Sequence, residues 1–330
     1  MKRRIASKHR NIVFIFLFAL LLVYQDEFII KSNRILNNIH GVFQTPTVGN
    51  KAYVQSFGFF TDINDATWKE FKRRYREQHR HKNNDVRNKR NHIEKDASSG
   101  SSHLFYRDNY DAEFTCLNEV QLGVAHDNRP HPSLQTPKWL CDPKRIVAAS
   151  NQRKRKGDNG CLIYFFDSGH KIPLRILQDF REEVGNECEI HLFSPKLNER
   201  GTKRLFDSGT NIILYSWGLE GHADADQGRR NYLTFHETLS QLNHQGHIID
   251  AVSIDCEDGC EWSTYKDILE SNAHITQILI ELHGTPYQVN DFFLEMRKLG
   301  YVIFHKDTVE NGANTAYSFI RLAPSFFQDD

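Results

Sequence analysis

The stretch Ile249–Trp262, IDAVSIDCEDGCEW, decides the fold. Its first half, Ile249–Ile254, is largely apolar, as in a strand covered on both faces. It runs directly into Asp255, Glu257, Asp258 and Glu261, then into Trp262 and a helix-period segment. Carboxylates crowd the end of a buried strand at a cost of several kcal/mol each unless they are paired or bind something. In an open α/β sheet, ligands sit at the carboxyl ends of the strands. This segment therefore marks a strand–helix unit and a candidate site together.

Outward from it, the same alternation repeats. Strands are expected at Cys161–Phe166, Cys188–Phe193, Asn211–Tyr215, Ile249–Ile254, Ile275–Leu282, Tyr301–His305 and Tyr317–Leu322. Helical periods fall between most of them, at Pro173–Val184, Glu199–Asp207, Tyr232–Leu242, Glu261–Ser271 and Val289–Leu299. Pro173 at a helix start and Gly300 just past a helix end fit the usual punctuation. Strands alternating with helices predict a mostly parallel sheet covered on both faces. Only Val309–Asn314, with Asn311-Gly312, separates the last two strands, so they should pair antiparallel.

The N-terminal part is different. Lys2, Arg3, Arg4, Lys8 and Arg10 precede the thirteen-residue apolar run Ile12–Tyr24. A basic flank before an apolar stretch keeps the flank cytosolic and sends the rest across the membrane. No small-residue cleavage site follows, so the expectation is an uncleaved signal anchor, with a cleaved signal peptide as the alternative. The expected organisation is a cytosolic tail over residues 1–11, the anchor over 12–24, a stem over 25–103 and a folded domain over 104–330. The stem contains the basic tract 64–102, read as a solvated spacer because only Trp68, Phe71 and Tyr75 are aromatic there. Lys+Arg and Asp+Glu both number 42, so net charge selects no partner, and no nucleic-acid partner is expected. Six cysteines with no CxxC allow fifteen full pairings, and at least one disulfide is expected.

Five β–α units closed by an antiparallel hairpin are the layout of the class I S-adenosylmethionine-dependent methyltransferase fold, a Rossmann-like α/β sheet of order 3-2-1-4-5-7-6 with strand 7 antiparallel. IDAVSIDCEDGCEW also resembles the D-x-E-G-x-E-W block of the methyltransferase-like protein 24 family and, more distantly, the FkbM-type methyltransferases. Three further blocks agree in order and spacing: KWLCDPKRI at Lys138–Ile146 with CLIYFF at Cys161–Phe166, QILIELHG at Gln277–Gly284 with Val289–Asp307, and AYSFIRL at Ala316–Leu322. The resemblance covers roughly residues 114–325.

It implies S-adenosylmethionine as cofactor and methyl transfer to an acceptor that the sequence does not disclose. It places the cofactor against Phe166, Asp167 and Gly169 after the first strand, Ser194 after the second, Trp217 and Gly218 after the third, and Asp255 after the fourth. Three departures stand out. Asp167 occupies the place of the usual glycine in the first turn. Ser194 replaces the acidic residue that binds the cofactor ribose, and a serine cannot accept the two hydrogen bonds a carboxylate does. Asp258 is inserted between Glu257 and Gly259.

The catalytic candidates are Asp255, Glu257 and His283. A carboxylate beside the donor can attract its positive charge or take the acceptor proton. Glu261 fits a helix start, where acids are favoured by about 0.3–1 kcal/mol. Glu281 and His283 lie two residues apart, hence on one face of a strand, and read either as a mutual structural pair or as a base or metal pair with Asp255. No resident metal is expected, and the remaining histidines show no HxxxH spacing. Asp224-Ala225-Asp226 is a DxD sequence of the glycosyltransferase kind, but in a polar loop. The expected product is a type II single-pass protein with a lumenal methyltransferase-fold domain in the Golgi or endoplasmic reticulum, or a secreted one if the anchor is cleaved. The alternatives are a catalytically silent binding protein of the same fold and, third, a DxD glycosyltransferase.

Overall fold

The computed structural model describes residues 50–79, 102–123, 137–167, 174–196, 203, 212–220, 231–256, 260–284, 289–308 and 314–328. The expected anchor lies outside them; among the described residues no helix is long and apolar enough to cross a membrane.

In chain order the described elements begin with α1 (Lys51–Gln55), α2 (residues 65–79), α3 (Ser102–Asp108), β1 (Glu119–Leu122), β2 (Lys138–Cys141) and α4 (Pro143–Arg155). They continue with β3 (Cys161–Asp167), α5 (Leu174–Val184), β4 (Cys188–Phe193), β5 (Ile213–Tyr215), β6 (Gly218–Leu219), β7 (Tyr232–Leu233) and α6 (Phe235–Gln241). The last are β8 (Ile248–Asp255), α7 (Glu261–Glu270), β9 (His274–His283), α8 (Val289–Lys298), β10 (Tyr301–Thr308) and β11 (Asn314–Arg321).

Seven strands form one sheet of order β10-β11-β9-β8-β3-β4-β5. Numbered along the chain from β3, this is 3-2-1-4-5-7-6, the order that the resemblance to the class I methyltransferase fold implies. The pairs from β5 to β9 are parallel, and β11 runs antiparallel to both β9 and β10. Successive strand residues feed two cores. Ile163, Phe165, Ile190 and Leu192 pack with Ile146 of α4 and Phe180 of α5 on one face. Leu162, Tyr164, Phe166 and Val252 pack with Phe235 of α6, Ile268 of α7 and Phe292 of α8 on the other. Gly300 (φ 86°) closes α8, and a Cβ there would stand 2.3 Å from the Leu322 carbonyl oxygen. The turn over 309–313 and the helix expected at Glu199–Asp207 lie outside the described residues, apart from Lys203.

The domain starts earlier than residue 104. Residues 50–79, expected within the stem, belong to the same compact unit as the sheet. Trp68, Phe71 and Tyr75, at i, i+3 and i+7, form the apolar stripe of α2 and are buried with Phe60, Phe114 and Phe326. Arg73 and Arg74 are exposed on the opposite face, where both pair with Glu70 and Arg73 also with Glu77, whereas Lys72 is buried; residues 80–101 of the tract lie outside the described residues. The Trp68 indole N–H donates to Gln55 Oε1 at 2.7 Å, and Gln55 in turn donates to the Ser325 carbonyl at 2.8 Å. Trp68→Phe removes that donor and part of a ring 0% exposed. It should lower the unfolding free energy by about 2 kcal/mol, measured by urea titration. A change near zero would return this segment to the role of a spacer.

All six cysteines are paired, as Cys116–Cys141, Cys161–Cys188 and Cys256–Cys260. Cys161 and Cys188 are register partners at the starts of β3 and β4. Cys256–Cys260 closes the short loop between β8 and α7 that carries Glu257 and Asp258.

Candidate active site

The strand order reverses between β3 and β8, and there Asp167 and Asp255 stand as direct register partners at the two strand ends. This is the topological switch point at which open α/β sheets bind ligands. The next strand, β9, ends in Glu281 and His283.

A cation meets these acids from an unexpected direction. Lys138, at the head of β2, is 2% exposed, with its ammonium 3.1 Å from Glu281 and 3.7 Å from Asp255. Burial pulls its pKa down, but Asp255, Glu281 and Asp167 outweigh that and hold it above the ordinary lysine value. The side chain therefore stays charged. Its backbone is fixed by Gln277 of β9, whose amide accepts from the Cys141 N–H at 2.9 Å and donates to the Cys141 carbonyl at 2.8 Å. Ser318 of β11 also donates to the Trp139 carbonyl at 2.9 Å. The short β1–β2 hairpin is thereby docked on the sheet, with the lysine under the strand ends. KWLCDPKRI is one of the blocks carrying the family resemblance, yet nothing in the sequence reading gave Lys138 a role. The available signal was a lysine opening an otherwise apolar strand.

Glu261 also has a role the sequence reading missed. It is the first residue of α7 but 0% exposed, and its carboxylate turns to the site. Oε1 accepts the His283 backbone N–H at 2.7 Å and lies 3.0 Å from His283 Nδ1. The Glu281–His283 pair considered from sequence is present as an ion pair, with Glu281 3.9 Å from Nε2, but it is Glu261 at 3.0 Å that makes the hydrogen bond holding the ring. A local strand pattern identifies residues on one face, but it does not reveal a carboxylate folding in from the following helix. The Trp262 indole donates to the His283 carbonyl and the Tyr106 hydroxyl to the Gly284 carbonyl, both at 2.8 Å. Burial lowers the His283 pKa, but the hydrogen bond and charge of Glu261, with Glu281 and Asp255, raise it above its ordinary value. Asp255 and His283 keep 17% and 22% side-chain exposure, so these two groups of the cluster face the solvent-accessible side.

Methyltransferase domain is the description of the family that matches residues 50–321. The chain belongs to this family. Its match begins at residue 50, in agreement with the domain start seen in the fold. Among curated proteins, none matches the chain.

Methyltransferase domains generally use S-adenosylmethionine, whose methionine end carries an ammonium and a sulfonium. Asp167, Asp255, Glu261 and Glu281 against Lys138 and His283 leave an acid excess that suits such cations. The other half of the expected cofactor site is built differently. Ser194 is buried at 2% exposure, and its N–H donates to the Tyr215 carbonyl at 3.0 Å. Phe166 puts its side chain into the core, stacked 4.5 Å from Phe193, so only its main chain is left for a ligand. Gly218 permits a close approach, but by the protein itself: a Cβ there would lie 2.9 Å from the Pro195 ring and 3.0 Å from Tyr232. Trp217 packs on Tyr215 at 4.6 Å and Phe193 at 5.8 Å. Glu257, Asp258, Gly169 and the DxD residues Asp224 and Asp226 lie outside the described residues.

Proposed function

We propose that this protein is an S-adenosylmethionine-dependent methyltransferase of the methyltransferase-like protein 24 group, acting in the secretory pathway on an acceptor of unknown class. The observation that carries the reading is the Asp167–Asp255 pair at the switch point, inside a chain whose family is the methyltransferase domain. Asp167 and Asp255 would hold the cationic end of the cofactor, which supplies an electrophilic methyl group when bound. His283, oriented through Nδ1 by Glu261 and with Nε2 3.9 Å from Glu281, is the group proposed to take the acceptor proton, the arrangement of an oriented general base. Glu257, which in sequence falls between the disulfide-linked Cys256 and Cys260, is kept as a further acid–base candidate. Three disulfides support an oxidising compartment. With the basic flank and apolar run at 12–24, they favour a type II lumenal protein of the Golgi or endoplasmic reticulum, or a secreted one if that run is cleaved.

The test is calorimetric titration of the full chain with S-adenosylmethionine and S-adenosylhomocysteine. Saturable binding is expected; none at millimolar ligand overturns the proposal. Binding of a nucleotide sugar with Mn²⁺ instead would favour the DxD reading. The buried Ser194 and the filled approach at Gly218 favour, as second reading, a relative that keeps the fold for binding alone. It is distinguished by a stably folded chain that binds neither S-adenosylmethionine nor S-adenosylhomocysteine in the same titration.

The pH profile carries its own prediction. A base must be unprotonated, and the His283 pKa is raised, so transfer should increase with pH through an inflection above about 6.5. Glu261→Gln removes the charge that raises it and should move the inflection to lower pH. An unmoved inflection would remove His283 from the mechanism.

A further inference from the structure

The structure assigns a second site, away from the strand ends: we propose that Glu189, His191 and His244 bind one zinc-class divalent cation. Glu189 and His191 alternate along β4 and share a face, whereas His244 comes from the turn after α6. One ligand atom from each lies within 4.8 Å of the others. Glu189 Oε1 is 2.9 Å from His191 Nε2.

The surroundings are built as a metal site requires. The Tyr215 hydroxyl engages His191 Nδ1 at 3.0 Å, and the Tyr164 hydroxyl engages His244 Nδ1. Each ring is thereby oriented with Nε2 as its donor atom, as outer hydrogen bonds orient metal-bound histidines. Two imidazoles and a carboxylate are a recurrent zinc donor set that leaves a fourth position open. The His247 ring lies 5.1 Å from that of His244. His191 is 1% exposed but Glu189 is 54% exposed, so a cation has an entry path from solvent.

Glu189 is the second residue of β4, while the methyl-transfer cleft lies past its far end at Phe193 and Ser194. The cation would therefore tie the α6–β8 turn to β4, next to the three-residue edge strand β5. Its expected role is structural, holding the edge of the sheet.

The test uses the full chain, freed of metal by chelation and titrated with Zn²⁺ alone, with calorimetry and thermal unfolding as readouts. One Zn²⁺ per chain and a raised melting temperature are expected. His244→Ala and Glu189→Ala should each abolish both effects. Glu189 is exposed, so its variant decides the matter if the other fails to fold. Tyr215→Phe, which keeps all three ligands, should weaken binding by about 10–100-fold. The proposal is overturned if Zn²⁺ fails to bind, if Mg²⁺ binds in preference, or if Zn²⁺ binding survives Glu189→Ala. Binding lost instead on Asp255→Asn would move the metal to the strand ends and would equally overturn it.

Discussion

Lys138→Met is expected to destabilise the protein by about 3–5 kcal/mol, the cost of removing one partner from a buried ion group. Methionine nearly matches the lysine stem in volume, so the loss is electrostatic rather than a cavity. Without the ammonium, Glu281, Asp255 and Asp167 face one another in a buried cluster with their shared cation gone. Their repulsion is relieved when one of them binds a proton. The penalty should therefore be largest near neutral pH and shrink as pH falls, the opposite of ordinary acid denaturation. Urea unfolding of parent and variant at two pH values measures it. Lys138→Arg should recover only part of the loss, because the planar guanidinium does not fit a site shaped for a compact ammonium. Equal stability of parent and Lys138→Met at neutral pH would mean that the lysine does not hold the cluster together.

Asp255→Asn is the second large effect. It should lower kcat/KM for S-adenosylmethionine by about 10²–10³-fold, the loss expected when one partner of a close charge pair is removed. The fold should survive, since Lys138 retains Glu281 at 3.1 Å and asparagine fills the same space. Asp255 is more exposed than Glu281, and it stands beside Asp167 at the switch point. Binding of S-adenosylmethionine should weaken more than binding of S-adenosylhomocysteine, because only the former carries the sulfonium charge. Equal weakening of the two would mean that Asp255 is a structural neighbour of Lys138. Activity retained in full would remove it from the site.

Much of the architecture was legible in local pattern. Uninterrupted apolar runs such as CLIYFF and QILIEL belong to strands covered on both faces, and the helical periods between them fixed the layering. Boundaries came within one to three residues for most elements. Strand ends followed, and with them Asp167, Asp255 and Glu281–His283, because acids at the close of a buried run have no packing rationale. The domain start was misplaced because the charge of the 64–102 tract was weighed above the i, i+3, i+7 spacing of Trp68, Phe71 and Tyr75. A basic outer face is compatible with a fully buried inner stripe, and α2 has both.

The sequence by itself determined the α/β class, the alternation of strands and helices with its closing hairpin, and the three strand ends that carry acids, whereas the strand order came from the family resemblance. Periodicity records, residue by residue, which face of an element is dry, and that information is local. Only the tertiary structure decided what those acids meet. Lys138 reaches Glu281 across 143 residues of sequence, Glu261 folds back from α7 onto His283, and the α6–β8 turn brings His244 to Glu189 and His191. The pairing of six cysteines was decided in the same way. Charges find partners by through-space proximity once the chain is closed, and that proximity leaves no mark in the spacing of neighbouring residues.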